Sequence, residues 1–127
     1  MSLRIRTEDP GGDTAIMRAS GSMTLGETSE FRKASTAAFE SGKRKVILDL
    51  SGVSSIDSSG MGELVLAFMR SRKEGIEYVL TGLGGKLKDV LTNTRIIGVF
   101  RVFPGVDEAL EYFKGGQSAG TTRAAET

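Results

Sequence analysis

The 127-residue chain contains neither cysteine nor histidine. Without cysteine it has no disulfide, no thiolate nucleophile and no cysteine-ligated zinc or iron–sulfur centre. Without histidine it lacks the usual general base at neutral pH, the serine–histidine–aspartate triad and the commonest transition-metal ligand. An excess of one charge is missing too. The 17 basic residues balance 16 acidic ones for a net charge of +1, whereas a chain dedicated to DNA or RNA carries a clear basic surplus. The cluster Lys43-Arg44-Lys45 therefore reads as a solvated turn, and no nucleic-acid partner is expected. No apolar run approaches the roughly 20 residues needed to cross a bilayer. The N-terminus lacks the long apolar segment of a signal peptide. These features point to a cytoplasmic protein without membrane insertion. What is present is ordinary: 39% hydrophobic and 26% charged residues, a size suited to one domain that folds without disulfide or metal.

Apolar periodicity divides the chain into alternating elements. Leu3 to Arg6 and Thr14 to Ala19 read as two strands of a hairpin, joined by the turn Pro10-Gly11-Gly12-Asp13. Gly21 and Ser22 break the second. Leu25 to Ser41 follows helical spacing, with Phe31, Ala34, Ala38 and Phe39 on one stripe and Gly42 as the stop. Val46 to Leu50 is unbroken and apolar apart from Asp49, as expected of a strand covered on both faces beside parallel neighbours. Ser51 to Asp57 reads as a loop. Met61, Leu64, Val65 and Phe68 stripe a second helix ending at Gly75, with Arg70, Arg72 and Lys73 at the negative end of its dipole. Ile76 to Thr81 is a strand, Leu87 to Leu91 a short helix, Val99 to Phe103 a last strand and Val106 to Phe113 a last helix. Residues 1–114 then form one domain of order ββαβαβαβα with a largely parallel, mixed sheet. The small polar residues 115–127 read as a flexible tail.

Asp57-Ser58-Ser59-Gly60, at the start of the second helix, carries the most chemistry. A hydrolase elbow would need a glycine two residues before the serine and a base; here Asp57 precedes Ser58-Ser59, and no S-x-x-K spacing supplies a lysine. Gly82-Leu83-Gly84-Gly85-Lys86 resembles a phosphate cradle, but Leu80 stands where the P-loop's first glycine belongs and Leu87 where its Ser or Thr belongs. It reads as a strand-to-helix turn. No catalytic residue, metal ligand or cofactor site is therefore assigned. Asp57 or Ser58 suits a helix N-cap. A cap alone does not explain two serines followed by Gly60 and Gly62, since each glycine costs about 1 kcal/mol in a helix. The remaining reading is that a serine is itself a substrate. A helix N-terminus presents free N–H groups and a partial positive charge that can accommodate a phosphate of about −1.5 to −2. The residues alone leave Ser58 and Ser59 both open.

The stretch DLSGVSSIDSSGMGELV, from Asp49 to Val65, closely resembles the signature of the STAS domain, the anti-sigma factor antagonist fold. Asp49, Ser51, Gly52, Val53, Ile56, Asp57, Ser58, Ser59, Gly60 and Gly62 carry the match, and the element order extends the resemblance from about Leu3 to Phe113. It implies an α/β fold whose mixed sheet bears its helices mainly on one face. In that family the second serine, here Ser59, is phosphorylated by an anti-sigma factor that is a serine kinase. The unmodified antagonist binds this partner and releases a sigma factor; the phosphorylated one lets go, and a serine phosphatase resets it. ATP and catalysis come from the partner. Family antagonists also carry a Gly-x-Leu-Asp-like stretch after the second strand. Here it reads Gly21-Ser22-Met23-Thr24-Leu25, so Thr24 replaces the aspartate, loses its charge and is expected to cap the first helix.

The resemblance thus implies a regulatory protein, not an enzyme, with a partner-binding surface of Thr24, Asp57, Ser58, Gly60, Met61 and Glu63. Met61 has a competing role in the core, and Met17, Met23 and Met69 read as core or edge fillers. The alternative is a soluble STAS subunit of a membrane transport complex that works by contact with an ATPase, without phosphorylation. A small-ligand sensor is a third possibility.

Overall fold

Val46 to Leu50 can be apolar apart from Asp49 because both faces of that strand are covered. In the computed structural model, which describes residues 2–115 and 122–123, Val46, Leu48 and Leu50 pack on one side of the sheet and Ile47 on the other. The elements are β1 (Leu3–Glu8), β2 (Thr14–Met23), α1 (Thr28–Glu40), β3 (Lys45–Ile56), α2 (Ser58–Lys73), β4 (Glu77–Thr81), α3 (Gly85–Asn93), a 3₁₀ turn (Ile96–Val99), β5 (Arg101–Phe103), α4 (Val106–Phe113) and β6 (Thr122–Arg123). The strands lie side by side in sequence order. β2, β3, β4 and β5 are mutually parallel, while β1 and β6 run antiparallel at the two edges. This is the mixed α/β fold expected.

The larger core lies between the sheet and α1, α2, α3 and the 3₁₀ turn, with Phe31, Leu64, Leu91 and Phe100 fully buried. The smaller core lies under α4, where Ile16, Ile47, Val79 and Phe103 meet Ala109. Helices thus sit mainly on one face. Met17 and Met23 are buried fillers, but Met69 is exposed. The basic cluster is not a free turn. Lys43 Nζ donates to the Gly12 carbonyl (2.7 Å), an Arg44 guanidinium nitrogen to the Glu74 carbonyl (2.8 Å) and Lys45 Nζ to the Phe113 carbonyl (3.2 Å).

Four boundaries differ from the sequence reading. β2 continues to Met23, because Gly21, at φ 100°, lets the strand bulge and resume. β3 likewise continues through the serine-rich stretch Ser51 to Ile56, so the expected loop is a strand paired with that extension. α1 begins at Thr28 with Glu27 at its N-cap, not at Leu25. Ile96–Val99 forms a 3₁₀ turn, and the strand begins at Arg101. Of the expected tail, Gly115 ends α4 at a positive φ and residues 116–121 and 124–127 lie outside the described residues. Thr122 and Arg123 pair with Val102 and Arg101, a strand the sequence did not suggest.

Candidate functional site

The site is assembled where β2 and β3 end together. Met23 and Ile56 are register partners, so the chain leaving β2 toward α1 passes directly over the chain entering α2. Asp57 locks the crossing. Its backbone N–H donates to the Met23 carbonyl (3.3 Å), its Oδ2 accepts from the Leu25 N–H (3.0 Å) and its Oδ1 accepts from the Gly60 N–H (3.1 Å). Asp57 is thus the α2 N-cap and ties the β2–α1 loop to that helix. The N–H groups of Leu25 and then Gly60 hold its carboxyl below the usual aspartate range. The free amide donors expected at this corner are therefore partly taken by Asp57.

The glycines have separate explanations. Gly60 is buried, and a Cβ there would collide with the Met23 carbonyl oxygen and crowd Ile56. Its absence of side chain serves the strand crossing. Gly62 is exposed with open space around it. Ser58 is exposed and Ser59 half-buried, and neither hydroxyl is hydrogen-bonded among the described residues.

Thr24 lies in the β2–α1 loop, where its carbonyl accepts from the Glu27 N–H (2.9 Å). It does not cap α1 as expected, because the helix starts one turn later. Met61 is half-buried against the larger core, with its sulfur 3.6 Å from Thr94 Oγ1 of the α3 C-cap. Glu63 is already engaged: Arg32 of α1 grips both its carboxylate oxygens, through Nε to Oε1 at 3.2 Å and Nη2 to Oε2. Thr24, Asp57, Ser58, Ser59 and Gly60 thus share one corner, while Met61 faces α3 and Glu63 faces α1.

Leu25 is the residue that sequence reasoning missed. The helical spacing of Leu25 to Ser41 includes it, yet it stands 79% exposed in the loop held by Asp57. The signal was available, since a leucine followed by Gly26 ahead of the first periodic residue marks a loop.

The STAS domain family profile matches residues 4–109. The chain belongs to the STAS domain family. Its fold is similar to that of an anti-sigma factor antagonist from Mycobacterium paratuberculosis, with a TM-score of 0.79, 20% identity and coverage of 89% of this chain and 95% of that one. It is also similar to Bacillus SpoIIAA in its phosphorylated form (TM-score 0.67, 19% identity, 87% and 99% covered). A sulfate transporter family protein from Wolinella succinogenes resembles it as well (TM-score 0.71, 23% identity, 84% and 89% covered). Antagonists and transporter proteins thus share the STAS architecture, and function must be argued from the site. Among the described residues of this STAS domain, no helix is long and apolar enough to cross a membrane.

Proposed function

We propose that this STAS domain is an anti-sigma factor antagonist whose binding is switched off by phosphorylation of Ser59. The observation that carries the reading is the Asp57-Ser58-Ser59-Gly60 corner: two unengaged serine hydroxyls in the first turn of α2, beside the protruding Leu25. The unmodified protein binds an anti-sigma factor that is also a serine kinase, in the cytoplasm of a bacterium, and so frees a sigma factor. Within that complex the Ser59 Oγ–P bond forms as the bond between the γ-phosphorus of ATP and its bridging oxygen breaks. The hydroxyl proton passes to a base on the kinase and ADP leaves. A serine phosphatase later transfers the phosphoryl group to water, restoring the hydroxyl and releasing inorganic phosphate.

The added charge is large enough for this task. Two like charges about 4 Å apart repel by roughly 4 kcal/mol at an effective dielectric near 20. A tenfold loss of affinity needs only about 1.4 kcal/mol. The structural likeness to a sulfate transporter family protein supports a second reading, docking on a transporter ATPase by contact alone. Incubation with a serine-kinase anti-sigma factor from the same organism and ATP, followed by mass spectrometry, separates the two. The first reading expects one phosphate on Ser59 and none on Ser59→Ala. An unlabelled chain that copurifies with a transporter ATPase establishes the second.

A further inference from the structure

We propose that Arg32 is an internal receptor for the phosphate on Ser59, exchanging Glu63 for the phosphoryl oxygens when the serine is modified. The inference rests on the reading of Ser59 as the modified residue and concerns what the modification does inside the molecule.

The geometry follows from the rows of α2. Residues three, four and seven apart share a helix face. Glu63 and Arg70 both reach α1, the first through Arg32 and the second through Thr36 and Glu40, and Leu66 lines the groove between the two helices. Stepping back four residues from Glu63 along this row gives Ser59. Ser58 instead begins the row of Gly62 and Met69, which faces solvent. The pairs Arg32–Glu63 and Thr36–Arg70 also show that α1 and α2 run in the same direction. Ser59 therefore stands one turn from Glu63, on the flank that Arg32 crosses.

A phosphate there would place a dianion one turn from Glu63 on the same flank, where like charges repel. Asp57 already occupies the Gly60 N–H, so the helix end alone satisfies little of the new charge. The charged groups tied to this end of α2 are Asp57 at its N-cap and Glu63 one turn on, with Arg32 of α1 bonded to Glu63; at the start of α1, Glu30 is paired with Lys33. Glu27 is committed to the Leu3 N–H. Arg32 is 64% exposed in its side chain, whereas its partner Glu63 is largely covered, at 12%. A guanidinium presents a planar fork that matches phosphate as well as carboxylate. Arg32, bonded to Glu63 one helical turn from Ser59, thus has the exposure and the chemistry, and the exchange releases Glu63. The surface a partner meets then changes by a phosphate and a bared carboxylate.

The test installs phosphoserine at position 59 during translation, so no kinase is involved, and follows the ³¹P resonance of the full chain against pH. A neighbouring guanidinium favours the dianion. The expected result is that the phosphate binds its last proton about tenfold more weakly in the wild-type background than in Arg32→Ala. Glu63→Gln, which leaves Arg32 uncontested, should hold the dianion at least as well as wild type. Identical titrations in wild type and Arg32→Ala, or weaker stabilisation in Glu63→Gln, overturn the proposal. Failure of the kinase to label Ser59 would sink the regulatory reading without touching this result.

Discussion

Gly60 and Gly62 stand two residues apart in the first turn of α2, yet they answer to different forces. At Gly60 a methyl group has nowhere to go, because the Met23 carbonyl is backbone and cannot turn aside. Gly60→Ala must therefore push α2 away from the end of β2, at a cost of about 1–3 kcal/mol, the range for overpacking. At Gly62 nothing lies within reach, and alanine there removes only the entropic penalty of glycine in a helix, a gain of about 0.5–1 kcal/mol. Urea denaturation of the two variants should move the midpoint in opposite directions. A Gly60→Ala protein as stable as wild type would show that the strand crossing is looser than described. The pair also shows what the sequence could disclose at this scale. Two glycines after two serines signalled that something special happens here, but the cause at Gly60 is a strand that ends 37 residues earlier, at Met23, a contact no local pattern reveals.

At the scale of elements, α2 has two faces with separate tasks. Leu64 is fully buried in the larger core, whereas Leu66 and Met69 are each 59% exposed. Leu64→Ala should cost about 2–5 kcal/mol, as large-to-small core changes do. Leu66→Ser with Met69→Ser should leave stability within about 0.5 kcal/mol per site, while weakening capture by the anti-sigma factor in a pulldown. Unchanged capture would remove this face of α2 from the interface. The helices, the central strands and their order were legible because each buries a clear apolar stripe. The ends of β2 and β3 were not, because Ser20 to Ser22 and Ser51 to Ser55 read as loop by composition. They are strands because they pair with each other, through register and through bonds such as Ser55 Oγ to Ser22 Oγ at 3.2 Å. The serine corner was legible as a helix start. The Arg32–Glu63 pair was not, since it depends on which helices end up side by side.

For the whole molecule, the question is whether a charge can be added at Ser59 without disturbing the fold. Both cores are built from side chains on the faces of the sheet, and Ser59 belongs to neither. The net charge of +1 would become slightly negative with a phosphate of about −1.5 to −2, far too little for self-repulsion to loosen a domain of this size. The dipole at the first turn of a helix favours an acidic group and offsets part of its repulsion by Glu63 one turn away. Ser59→Asp should therefore melt within about 2–4 °C of wild type, as expected for a change below about 0.5 kcal/mol, yet bind the anti-sigma factor at least tenfold more weakly. Ser59→Ala should melt alike and bind without release when kinase and ATP are present. Calorimetry with a binding titration on both variants reads the two properties separately. A Ser59→Asp chain that loses its cooperative transition would mean that the corner is part of what holds the sheet and helices together. Loss of binding would then report unfolding, and a switch confined to the surface would no longer describe this protein.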